Sequence, residues 1–128
     1  MNKEQYVSYE VAQLLKDKGF NWGCNAHWYI GEHKTFEISS STDPINWNEV
    51  KTDLDWLSCP TQQMAMRWLR EEKGIHIYPI PVTGFNYIVA VYAEQGNEAP
   101  NRIVLGNRYN AYEDCIEAAL EYVLKNLI

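Results

Sequence analysis

Apolar positions at the end of the chain recur at three- and four-residue steps: Tyr112, Cys115, Ile116, Ala119, Leu120, Val123, Leu124 and Leu127. That spacing lines one face of a helix and predicts a core-facing α-helix. Asn110 is placed to cap it, with Glu113 three residues on in a near capping-box arrangement. Acidic residues near the start and Lys125 near the end suit the helix dipole. A second stripe, Met64, Ala65, Trp68 and Leu69, predicts a helix over 60–73, with Pro60 in its first turn and Gly74 just past its end. A narrower face of Val11, Leu14 and Leu15 predicts a helix over 7–18, capped by Ser8 and stopped by Gly19. A helix of only about three turns must dock on something, because such helices are marginal alone in water.

Elsewhere the period changes. Two β-prone runs, His27-Trp28-Tyr29-Ile30 and Thr35-Phe36-Glu37-Ile38, flank the polar Gly31-Glu32-His33-Lys34 and predict a hairpin over 26–39. Residues 39–57, with Asp43-Pro44 as a turn signal, read as a long, partly ordered connection of the kind that sometimes forms a binding loop. Ile75 to Pro79 has strand composition, and Pro79 and Pro81, unable to donate to a ladder, make that strand short or place it near an edge. From Phe85 to Ala93, Tyr87, Val89 and Val91 alternate with Ile88, Ala90 and Tyr92, so both faces are apolar, as in a central strand. A polar loop over 94–101 and a short strand from Ile103 to Leu105 complete the sequence of elements. The expected fold is a single α+β domain, an antiparallel sheet of about four or five strands with three helices, ordered helix, hairpin, helix, strands, helix.

Composition agrees with one domain: 128 residues at 46% hydrophobic content bury a core without staples. A net charge of −6, with the signs interspersed, disfavours sequence-independent attraction to nucleic acid or anionic membranes. No charged start followed by an apolar run precedes Tyr6, and no run approaches a membrane span, so the expected location is cytoplasmic. Cys24, Cys59 and Cys115 are odd in number and scattered, which fits a reducing compartment. Cys115 lies on the tail's apolar stripe and reads as a small buried hydrophobe.

The candidate chemistry is thin. Cys24, His27 and His33 cluster in sequence, but a zinc site needs a fourth ligand and His33 falls in the hairpin turn, so no metal or cofactor is expected. Cys24 with His27 or His76 is a minor candidate for a thiol nucleophile and base, without a third group to orient them. Asp53 with Asp55, and Glu71 with Glu72, are adjacent acids without a partner that would separate their pKa values for acid and base work. The chain has no phosphate-cradling glycine pattern, no G-x-S-x-G elbow and no H-E-x-x-H helix. Catalysis is therefore not expected.

Two binding readings remain. Four of the five tryptophans precede the second helix, and Trp22, Trp28, Tyr29, Trp47 and Trp56 could anchor a protein partner or fill the core. From Pro60 onward the order of elements is that of a double-stranded RNA-binding domain, yet Glu113, Asp114 and Glu117 at the start of the last helix would repel phosphate. Arg67, Arg70 and Lys73, with Arg102 and Arg108, form a separate candidate patch and carry the nucleic-acid alternative.

The strings Pro60-Thr61-Gln62, Ala65, Trp68-Leu69-Arg70-Glu71 and Ile75-His76-Ile77-Tyr78-Pro79 resemble a family of small uncharacterised proteins of gut bacteria and their phages or prophages. The opening, with Leu14-Leu15-Lys16 and Lys18-Gly19-Phe20, and the tail, with Tyr112-Glu113 and Ala118-Ala119-Leu120, are similar too. The likeness covers about half the chain and implies a mobile-element setting, with no catalytic residues to carry over. The expected function is that of a small cytoplasmic accessory or adaptor protein acting through protein contacts. A nucleic-acid-associated regulator is the alternative, and a thiol enzyme using Cys24 the minor one.

Overall fold

The structure is a computed structural model and describes residues 5–39, 43–52, 54–84 and 86–128. The chain is α+β and divides into two compact units, Met1–Thr61 and Gln62–Ile128.

In the first unit, helix α1 (Tyr9–Asp17) begins where the Ser8 hydroxyl accepts from the Val11 N–H at 3.2 Å. It is followed by Gly19 at φ 91°, a left-handed conformation that favours glycine. Its buried face is Val11, Ala12 and Leu15. The expected hairpin is present as β1 (Ala26–Ile30) and β2 (Lys34–Ile38), paired antiparallel with Trp28 opposite Phe36.

The expected long connection is corrected at its end, where β3 (Asp55–Ser58) pairs antiparallel with the other side of β1. A 3-10 turn, Trp47–Glu49, precedes it. Asn48 pins this turn: its Nδ2 donates to the Phe20 carbonyl at 2.9 Å and its Oδ1 accepts from the Ser58 N–H at 2.9 Å. The chain on either side of the unit is tied by the Val7 N–H donating to the Pro60 carbonyl at 3.0 Å. Val11, Leu15, Phe20, Ala26, Leu57 and Cys59 are buried.

The second unit contains α2 (Gln62–Lys73), β4 (Ile75–Val82), β5 (Asn86–Gln95), β6 (Glu98–Tyr109) and α3 (Tyr112–Asn126). Its sheet has the order β4-β5-β6, all antiparallel, so β5 is central as its two apolar faces predict. β4 is at an edge, as its prolines require, but it runs for eight residues and is not short. The supposed polar loop over 94–101 is mostly ladder. Gln95 pairs with Glu98 across a two-residue turn whose Gly96 has φ 65°, and β6 extends over twelve residues. Phe85, the expected start of β5, and Asp53 lie outside the described residues.

Helix α3 buries Cys115, Ile116, Ala119, Leu120, Val123 and Leu124, six positions of the tail's stripe. Fully burying a large aliphatic side chain contributes about 1.5–3 kcal/mol before entropy is subtracted. Its start differs from expectation: Ala111, not Asn110, is the N-cap, without a side-chain cap bond. Gln62 at the head of α2 donates from Nε2 to the Glu113 carbonyl and to Glu117 Oε2, both at 2.9 Å, and so joins α2 to the first turns of α3.

The expected single sheet of four or five strands is thus two three-stranded sheets, β2-β1-β3 and β4-β5-β6. The difference has a simple cause. Alternation says which face a strand buries, and is silent on which strand it pairs with.

Candidate functional site

Side chains alternate across the first sheet, so residues paired with one another share a face. His27 lies opposite Glu37 and Ser58, and Tyr29 lies opposite Thr35 and Trp56. One face therefore collects His27, Tyr29 and Trp56. The 3-10 turn lays Trp47 on this group: its ring stacks on His27 at 4.0 Å between centroids and on Trp56 at 5.5 Å, with 24° between the indole planes. Tyr29 packs against Trp56 at 5.5 Å, and His27 lies 5.2 Å from Trp56.

Both indole N–H groups are used internally, Trp47 Nε1 donating to the Cys24 carbonyl at 3.0 Å and Trp56 Nε1 to Thr52 Oγ1. What they offer a partner is ring surface. His27 is buried, whereas Tyr29, Trp47 and Trp56 are partly exposed. The result is a small platform of three accessible rings on a buried imidazole floor. Burial pushes His27 below its ordinary pKa of 6.5, against a smaller opposing pull from Glu37. Its Nδ1 is buried and makes no hydrogen bond. The imidazole is therefore neutral near pH 7 and packs as one more ring.

The five aromatic residues that the sequence groups together are divided. Tyr29, Trp47 and Trp56 converge. Trp28 points to the opposite face, with Phe36 at 5.4 Å and Tyr9 edge-on at 5.4 Å, and Lys34 Nζ sits 4.0 Å from the Tyr9 ring centre. Trp22 packs beside Phe20 at 6.4 Å. Sequence reasoning considered His27 only as a ligand or base and missed it as part of the platform. The signal was its two-residue spacing from Tyr29.

Cys24 is buried, and its thiol donates to the Trp22 carbonyl at 3.6 Å. Burial, reinforced by nearby Cys59 and opposed by a hydrogen bond with Ser58, pushes its pKa up to about 12. A nucleophile has to be a thiolate, and this thiol keeps its proton at neutral pH. His33 is exposed in the hairpin turn. Among the described residues, no group of three or more His, Cys, Asp or Glu is arranged to hold a metal ion.

In the second unit the proposed cationic patch falls on two layers. Arg67, Arg70 and Lys73 are exposed on α2, with Arg67 Nε 2.8 Å from Glu71 Oε2 and Lys73 Nζ 5.5 Å from the Trp68 ring centre. Arg102 pairs with Tyr92 on the sheet. The alternation that buries Ile75, Ile77, Val89 and Val91 under the helices leaves His76, Tyr78, Tyr92 and Arg102 on the open face. Arg102 and the α2 cations therefore lie on opposite sides of this unit. Arg108 is exposed further along β6.

No protein family, curated protein or solved structure matches the chain. Among the described residues no helix is long and apolar enough to cross a membrane.

Proposed function

We propose that this chain is a non-catalytic accessory or adaptor protein of the cytoplasm that binds a protein partner through the Tyr29, Trp47 and Trp56 platform. The resemblance in its sequence gives the setting, a phage or other mobile element in gut bacteria. One observation carries the proposal: Trp56 packs against both Tyr29 and Trp47, three partly exposed rings beside a buried, neutral His27, with both indole N–H groups already bonded inside the unit. Rigid tryptophan and tyrosine surfaces bind at low entropic cost and are enriched among residues that dominate interface energies. With no donor left on the indoles, the platform suits an apolar or proline-bearing segment of the partner.

Affinity capture from the native host with the wild-type chain, run beside Trp56→Ala, tests this. A single protein retained by the wild type and lost by a variant that keeps its circular dichroism spectrum is expected. Equal recovery by both chains, or dependence on Arg67 and Arg70 instead, would overturn it.

A further inference from the structure

On the open face of the second sheet, His76, Tyr78, Ile80, Tyr92, Glu94 and Pro100 line a groove of about 440 Å³. Tyr78 and Tyr92 form two of its walls, crossing edge to face at 5.5 Å and 75°. His76 is stacked beside Tyr78, with ring centres 6.3 Å apart and planes within 4° of parallel. Ile80 and Pro100 make the rest apolar. The one carboxylate is Glu94, and the backbone positions it. Its N–H donates to the Gly74 carbonyl at 2.9 Å, its Oε1 lies 3.7 Å from His76 Nε2, and its Oε2 lies 2.6 Å from where a Cβ on residue 74 would stand. Gly74 has no such atom, so the carboxylate settles against bare backbone at the end of the groove.

We infer that this groove is a binding site for a small molecule with a quaternary ammonium head group. Ring faces carry negative potential and attract cations that shed water easily, and the Glu94 carboxylate beside them adds charge complementarity. A primary ammonium has three N–H donors to satisfy, and beyond Glu94 and the tyrosine hydroxyls the walls of Ile80 and Pro100 offer it only apolar side chains. N-methyl groups need none and pack on the tyrosines. The competing cation is Arg102, which shares this face as the cross-strand partner of Tyr92. It does not line the groove, and Glu94 stands between the groove's floor and the α2–β4 turn. The site lies on the second unit and is independent of the aromatic platform of the first.

Titration with choline at constant ionic strength, followed by the ring proton signals of Tyr78 and Tyr92 and by calorimetry, tests the inference. Choline is expected to shift both rings and to bind at least about tenfold more tightly than its neutral tert-butyl isostere, in which carbon replaces nitrogen. Glu94→Gln and Tyr78→Leu, each checked for an unchanged melting curve, are expected to weaken choline several-fold. Tyr78 is 51% exposed, which makes its replacement compatible with folding. Equal binding of choline and the isostere, no movement of either tyrosine, or unchanged affinity in Glu94→Gln would overturn the site. A trimethyl-lysine peptide binding tenfold more tightly than choline would overturn the assignment to a free small molecule.

Discussion

His27 and Trp47 stack at 4.0 Å between ring centres, joining a buried strand residue to a 3-10 turn twenty positions later in the chain. Neither ring's place is set by its own local sequence. The imidazole is placed by the β1 ladder and the indole by its hydrogen bond to the Cys24 carbonyl, so stacking and backbone register support each other.

Stability falls as pH drops through the range where His27 becomes charged. Burial lowers its pKa in the folded chain below the ordinary 6.5, so between those values the unfolded chain binds more protons. The stabilisation is complete above about pH 6.5 and is lost as pH falls toward the folded value. Thermal melts between pH 7.5 and 5 are expected to show a declining Tm, with a shallower slope for His27→Gln.

Removing Trp47 is expected to lower stability by about 2 kcal/mol in urea titration, the combined loss of a partly buried indole and its aromatic contacts. The emission of Trp56 is expected to shift to the red as water reaches its exposed face. A Trp47→Phe variant should recover more than half of the loss.

The thiols are predicted to be silent in the folded chain. Cys24, Cys59 and Cys115 are all buried, and at pH 7.5 iodoacetamide should label none of them within minutes while labelling all three in urea. At high pH the same burial becomes destabilising. The unfolded Cys24 thiol loses its proton near 9.0 and the folded one only near 12, so Tm should decline as pH rises above about 9.

Gly74→Ala combines two costs. Its φ of 65° is left-handed, which a Cβ disfavours by about 1 kcal/mol. The new methyl would also meet Glu94 Oε2 at 2.6 Å, and that flexible carboxylate is expected to move away from His76. A lower Tm together with shifted His76 ring signals is the expected result.

Leu120 is fully buried on α3. Leu120→Ala should destabilise the chain by about 2–5 kcal/mol, measured by chemical denaturation, because the tail's stripe is packing surface.

The helices were legible because their signals are local. Ser8 caps α1, Gly19 and Gly74 follow α1 and α2 with positive φ, and the tail's stripe is buried at six of its eight positions. Two features were not legible for physical reasons. β3 has only four residues and starts on Asp55, too short for alternation to register, and its strand character comes from pairing with β1. Most of β6 is exposed, so polar residues such as Asn101 and Arg102 sit in a ladder without an apolar period. Residue type pointed to Tyr29, Trp47 and Trp56, but only the 3-10 turn brings Trp47 over His27. Trp28, between His27 and Tyr29 in sequence, is turned away by the pleat.

β6 has a consequence for how the protein behaves at high concentration. It ends the β4-β5-β6 order, is twelve residues long, and exposes Val104 at 45% on its open face. Among the described residues no strand pairs with its outer side, and an unpaired strand edge of that length is a template for pairing between molecules. Pro100 interrupts it with a residue that has no N–H to offer, and Arg102 and Arg108 set like charges along it. The arginines that suggested contact with phosphate are thus also gatekeepers, and neutralising them would make aggregation, rather than loss of a ligand, the first defect to appear.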